Sequence, residues 1–407
     1  MTRSPWGHVA QAAAALAAGM GVGRFVYTPI LPLMHAQAGL SAGAGANLAT
    51  GNYAGYLAGA LAGILAPSLV RSRALLRGCL VVLTASLAAM PATHSTTVWV
   101  ALRLLAGVAS ALVFVIVASS LLSRLREHPA HLSGWAFGGV GGGIALSGLL
   151  VLVLRSNAGW RAAWWASAAL CALLAAVSWN LRTEDAPAPA GAAPAPPPRP
   201  RTHRWFGALF ASYTLEGIGY IVAGTFLVAA IGQGSPGWAG SGAWVVVGLA
   251  AVPSAALWAR LGRRWSRPGL LLTALVVQAV GIALPALAGG IGAALVSAVL
   301  FGATFIGVST LALATGAHLR FPRSVALLTA GYSVGQILGP LAVTPLLHHG
   351  YHQALLLAAA VVLAAAAAAA LLRVGFPHAT VVVHRAAART AQGPRPAPVD
   401  TAAGSQS

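Results

Sequence analysis

The 407-residue chain holds five acidic residues: Glu127, Glu184, Asp185, Glu216 and Asp400. Four fall in polar connections or in the tail. Glu216 alone sits inside a long apolar run, in Tyr213-Thr214-Leu215-Glu216-Gly217-Ile218-Gly219-Tyr220. At the centre of a bilayer an ionised carboxylate is costly, so such a group is protonated, paired or facing a wet cavity. It then acts as a proton-coupling carboxylate or a substrate contact, or it is a neutral Glu hydrogen-bonded to a neighbouring helix. Intramembrane ionisable groups are functional by default, which favours proton coupling. Arg24 is its basic counterpart, in Gly21-Val22-Gly23-Arg24-Phe25-Val26-Tyr27-Thr28-Pro29. A guanidinium cannot readily discharge, and its planar fork suits a carboxylate or a phosphate. Arg24 therefore reads either as an anion contact or as half of a fixed pair, with Glu216 as its candidate partner.

Arg103 opens a third charged position, early in an apolar run, and by position alone it reads as a side chain reaching the outer interface. Asn52, Tyr53, Tyr56, Tyr213, Tyr220, Tyr332 and Gln336 are polar groups in apolar runs that could line a pathway or bond helix to helix. The substrate-binding set expected from all of these is Arg24, Tyr27, Asn52, Tyr56, Arg103, Tyr220 and Gln336, with Glu216 as the proton-coupling residue. No metal or cofactor is expected. His348, His349 and His352 read as solvated loop histidines, and Cys79 and Cys171 as packing thiols without metal-ligand spacing. A phosphate-cradling glycine loop with its Lys is missing, which argues against an ATP-driven pump, and no catalytic constellation suggests an enzyme.

The elements that must position these residues follow from composition. Charged residues make up 7% of the chain and hydrophobic ones 58%, with a mean hydropathy of +0.80. Such a chain is matched to lipid rather than water. The net charge of +19 comes from arginines in short clusters, not from a continuous patch, so nucleic-acid binding is not expected. A bilayer core of about 30 Å takes about 20 apolar residues per helix. That ruler predicts twelve spans near 8–34, 45–66, 74–92, 97–122, 132–154, 160–181, 204–231, 240–259, 269–288, 291–317, 324–347 and 352–372. The first is long and holds Arg24, so it reads as a retained helix rather than a signal peptide. Residues 182–203 form a Pro/Ala-rich linker and 373–407 a polar tail expected to be disordered. The organisation expected is 1–181 as one six-helix bundle, 182–203 as cytoplasmic linker, 204–372 as a second six-helix bundle and 373–407 as cytoplasmic tail.

Arginine placement orients the chain. With both termini inside, 20 of the 24 basic residues fall in inner connections or termini, Arg155 and Arg161 lie outside, and Arg24 and Arg103 lie within spans. The two halves also echo each other. Gly134, Gly138 and Gly142 in the fifth span and Gly331, Gly335 and Gly339 in the eleventh recur every four residues. This spacing puts three small residues on one helix face and predicts close packing within a six-helix repeat.

GMGVGRFVYTPILPLM in the first span, GNYAGYLAGAL in the second, RLLAGVASALVFV in the fourth, YTLEGIGYIVAGTFLVA in the seventh, FGATFIG in the tenth and GYSVGQILGP in the eleventh resemble the YbfB/YjiJ branch of the major facilitator superfamily. The resemblance covers nearly the whole apolar portion. It implies an all-α membrane protein of two pseudo-symmetric six-helix bundles that transports a small solute by alternating access across a bacterial inner membrane. Arg103 and Gly107 match the superfamily's fourth-helix motif, whose Arg faces the translocation interior in many relatives. The loop between spans two and three keeps Arg71 and Arg73 but lacks the usual Asp, and the fifth helix lacks the Pro of antiporter-like relatives. A proton-coupled carrier of a small solute, such as an organic anion, acting as a monomer in the lipid bilayer, is the expected function. Efflux of hydrophobic or drug-like compounds and a transport-inactive sensor or scaffold are the rivals.

Overall fold

The computed structural model describes residues 5–66, 68, 71–125, 131–155, 158–183 and 202–377. Glu127, Glu184, Asp185, Asp400, most of the expected linker and the tail from residue 378 lie outside the described residues. The regular structure consists of α1 (Pro5–Leu16), α2 (Tyr27–Ala38), α3 (Ala42–Leu65), α4 (Arg73–Ala89), α5 (Thr96–Arg124), α6 (His131–Leu154), α7 (Trp160–Ser178), α8 (His203–Gly234), α9 (Trp238–Leu261), α10 (Arg267–Leu287), α11 (Ile291–His318), α12 (Ser324–Val343) and α13 (Tyr351–Leu371). Serine starts several of them. The hydroxyls of Ser41, Ser72, Ser95 and Ser266 accept from the backbone N–H of Ala44, Leu75, Val98 and Gly269, each satisfying an orphan donor of a first turn. Gly39 closes α2 in the left-handed region, at φ 67°.

Eleven of the described segments are long and apolar enough to cross a membrane. The first of them, Pro5–Ala38, takes in both α1 and α2. The helix α3 is long enough at 24 residues but falls short in hydropathy, because it carries Thr50, Asn52, Tyr53, Tyr56 and many glycines. It is nevertheless the second of twelve spans. Its polar residues Asn52, Tyr53 and Tyr56 are buried, which takes them away from lipid.

The twelve spans divide into two groups of six with matching contacts. In the first group α1 lies on α6, α3 on α5 and α4 on α7; in the second α8 lies on α12, α9 on α11 and α10 on α13. Pro5–Ala38 and α8 are central: 83% of each apolar window is buried, against 39–56% for the other nine candidates. Between the groups, α6 runs along α9, α3 along α12, and α2 along α8.

The glycine pattern packs differently from the expectation. A Cβ on Gly134 or Gly138 would meet Ala256 or Val252 of α9, so these two glycines join the groups rather than serve one bundle. At Gly142, expected on the same face, an added Cβ would meet nothing within 4 Å. The glycines of α6 that touch the first span are Gly139 and Gly143, against Ala13, Ala17 and Gly21. They correspond to Gly335 and Gly339, which pack on Thr214 and Ile218 of α8, with Gly331 against Phe210 and Thr214. The repeat is real, and its register is one residue from the one that the triplets suggest.

Gly143→Ala puts a methyl 2.6 Å from the Ala17 carbonyl oxygen, whereas Gly142→Ala meets open space. Overpacking costs about 1–3 kcal/mol, and Ala for Gly in an unobstructed helix gains up to about 1 kcal/mol. Thermal unfolding in detergent should therefore fall for Gly143→Ala and hold or rise for Gly142→Ala. Equal shifts would reject the packing assignment.

Candidate functional site

The first span is not a continuous helix. Gly19, Gly21 and Gly23 precede Arg24, and the segment Ala17–Val22 is π-helical, with Gly23 and Phe25 bonding back five residues to Ala18 and Met20. A π-turn inside an α-helix frees backbone groups and recurs at functional sites. Thr28 N–H bonds Phe25 O rather than Arg24 O, which leaves the Arg24 carbonyl without its helical donor.

Arg103 fills that gap from α5. Its two terminal nitrogens donate to Gly23 O at 3.0 Å and Arg24 O at 2.8 Å, and its guanidinium lies 5.3 Å from the centre of the Tyr27 ring. Its side chain is 2% exposed, so it does not reach an interface. Asn52 Nδ2 donates to the Arg103 carbonyl at 2.8 Å, and Tyr27 donates to Gly45 O at 2.8 Å. Three residues expected to contact solute, Arg103, Asn52 and Tyr27, thus give donors to backbone carbonyls.

Arg24 is presented by this braced bend. Its guanidinium lies 4.1 Å from the centre of the Tyr56 ring, with Tyr53 at 5.1 Å and Phe25 at 5.3 Å. One terminal nitrogen donates to Gln336 Oε1 of α12 at 2.7 Å, and Gln336 Nε2 reaches the Tyr220 hydroxyl of α8 at 3.4 Å. Arg24, Gln336 and Tyr220 therefore form a polar bridge from one six-helix group to the other. Nε of Arg24 has no hydrogen-bond partner.

Glu216 is fully buried, and neither carboxyl oxygen has a partner in hydrogen-bond geometry. The Gln278 amide of α10 stands beside it, itself buried and unsatisfied at both ends. Arg24 and Glu216 form no ion pair; Tyr220 and Tyr332 neighbour both of them. Arg24, Arg103 and Glu216 are the buried residues of charged type among the described residues, so the interior holds two cations and one acid.

Of the residues the sequence singles out, Arg24, Tyr56, Tyr220 and Gln336 come together directly. Gln278, Phe301 and Phe305 were missed. A lone amide in the apolar run Leu271–Leu284 is a signal that would have found Gln278. Phe301 and Phe305 are typical core residues in sequence and carry none. His348 and His349 lie in the turn Thr344–His349, and His352 is 3.3 Å from the Ala230 carbonyl.

Further contacts close the two groups against each other on the arginine-poor side. Thr225 gives its proton to Ile221 O, so Tyr53 donates to Thr225 Oγ1, at 2.7 Å. Thr28 donates to Gly224 O. His35 Nδ1 donates to Leu40 O, which leaves Nε2 to accept from the Tyr351 hydroxyl at 2.8 Å. Tyr53→Phe removes one cross-group bond, worth about 0.5–1.5 kcal/mol. If these contacts break when that side opens, labelling of Thr344→Cys on this side by an impermeant maleimide should quicken about two- to tenfold. An unchanged rate would show that the contact does not hold the closure.

Two six-helix groups with a broken, buried first span and a polar bridge between them define a transporter of the major facilitator type. The model of the family "Uncharacterised MFS-type transporter YbfB" matches residues 16–371, and the chain belongs to that family. It is a multi-pass membrane protein. No curated protein sequence matches it. Among solved structures, the fold is similar to that of a point mutant of the nucleoside transporter NupG, with a TM-score of 0.69, 13% identity, and coverage of 90% of this chain and 99% of that one.

Proposed function

We propose that this transporter moves a small organic anion across a bacterial inner membrane, coupled to protons. Arg24 is the anion contact and Glu216 the proton carrier. The reading rests on one observation: the interior holds a guanidinium and a carboxyl group that do not neutralise each other. Burying charge is expensive unless it is used, and an unpaired cation favours an anion over the neutral solute named for the structural neighbour. Tyr53, Thr28 and His35 hold one side shut, so an alternation that opens it must break their contacts, and a ligand shifts that balance only by its differential affinity. Arg103, Asn52 and Tyr27 position the bend that carries Arg24. The arginine-rich side is cytoplasmic in this reading, 1–181 and 204–372 are the two moving bundles, and the carrier works as a monomer.

The test is uptake of radiolabelled small carboxylates into proteoliposomes under an imposed pH gradient. Accumulation should follow the gradient and collapse with a protonophore. Uptake indifferent to both would remove proton coupling from the mechanism.

A further inference from the structure

The surroundings of Arg24 say more about the solute than its charge. Five rings from three helices share nearly one orientation. Tyr213 and Tyr332 are 4.4 Å apart at 12°, and Tyr332 and Tyr220 are 5.5 Å apart at 13°. Tyr220 and Phe305 are 5.9 Å apart at 5°, and Phe305 and Phe301 are 5.9 Å apart at 14°. The array meets the guanidinium at two points. Gln336 links Arg24 to the Tyr220 hydroxyl, and Phe25, next to Arg24 in the chain, sets its ring edge-on to Phe305 at 6.0 Å. Tyr56, Phe305, Ile306 and Tyr332 are not fully sealed, each keeping 7–9% of its surface accessible at mid-helix.

We propose that the solute is a planar aromatic monocarboxylate, a deduction that rests on the anion-transport reading above. Its carboxylate would take Nε of Arg24, which has no partner, and the terminal nitrogen now held by the Gln336 amide. A carboxylate accepts such a side-on pair of N–H groups in one plane, which a neutral amide oxygen cannot match. The terminal nitrogens of Arg103 are committed to carbonyls, so the site offers the Arg24 fork alone and suits one carboxylate. A ring attached to that carboxylate would lie beside Tyr56 and Phe25, against the Tyr220–Phe305 middle of the array. Displacing Gln336 would also break the bridge between the two groups, so binding and release of the interdomain contact are one event.

Equilibrium binding to the purified full chain in nanodiscs, with three probes, tests this. Benzoate carries ring and charge, cyclohexanecarboxylate keeps the charge with a puckered ring, and benzamide keeps the ring without the charge. Benzoate should bind at least tenfold tighter than benzamide, and about two- to tenfold tighter than cyclohexanecarboxylate, the range of an aromatic contact. Phe305→Leu should erase the preference between the two carboxylates while retaining both, and Arg24→Gln should lose both. Equal binding of benzoate and cyclohexanecarboxylate to the wild-type protein would overturn the aromatic assignment and leave the anion reading standing. Equal binding of benzoate and benzamide to the wild-type protein would overturn both, without depending on the folding of any variant. Absence of benzoate binding at millimolar concentration would also overturn the aromatic assignment.

Discussion

Glu216→Gln is expected to abolish accumulation of solute against its gradient while leaving downhill exchange close to the wild-type rate. The substitution keeps the shape of the side chain and its capacity to meet Gln278, but it removes the proton that the carboxyl group can take up and release. In wild-type protein with one proton moved per solute, a pH difference of two units can sustain about 100-fold accumulation, since each unit is worth about 1.4 kcal/mol. The variant should hold solute at equal concentration on both sides whatever the pH difference. Entrance counterflow, which needs no net proton movement, separates loss of coupling from loss of folding. If the variant accumulates solute with unchanged proton dependence, Glu216 is a packing residue and coupling resides elsewhere.

Arg103→Gln is expected to reduce transport at least 100-fold, although Arg103 touches no solute in this arrangement. Its guanidinium serves two carbonyls, Gly23 O and Arg24 O, exposed by the break in the first span. Glutamine is shorter and has one donor group, so a buried carbonyl loses its partner at about 1–3 kcal/mol, and the bend rearranges. Arg24 sits on that bend, and an orientation error of about 1 Å can cost 100-fold. Arg103→Lys keeps the charge but not the planar fork, so it should recover little. A readout that a merely structural defect would not move is the charge preference of binding. Arg103→Gln should bind benzoate and benzamide with nearly equal weakness at a temperature where its helical signal is intact. Retained preference for benzoate would show that Arg24 is aimed without Arg103.

Much of the fold was legible because lipid leaves a chain few choices. Apolar runs of about 20 residues, separated by arginine-bearing turns, must become helices that satisfy their own backbone groups. The expected spans fall within a few residues of the observed ones. The exceptions follow from local chemistry. The first span reads as one helix, yet it carries Gly19, Gly21 and Gly23 and takes a π-turn, and Arg103 bonds the carbonyls of Gly23 and Arg24 that follow it. The eleventh ends early at Val343, and the chain continues as a tight turn over Thr344–His349. The glycines of α6 were visible as a motif but not as contacts, since Gly142 and Gly143 differ by 100° around the helix and only one of them meets a neighbour.

The sequence by itself determined that this protein lives in a membrane, crosses it twelve times in two related halves, and carries one acid and two bases where charge is costly. Those facts are local: hydropathy, spacing and residue type suffice for them. Only the tertiary structure decided what each charge does. It turned Arg103 inward as a brace, kept Arg24 apart from Glu216, and gathered Phe301, Phe305 and Gln278 from distant helices around them. Such roles depend on which helix faces which, and helix faces in a membrane are set by small residues and a few hydrogen bonds whose partners lie hundreds of residues away.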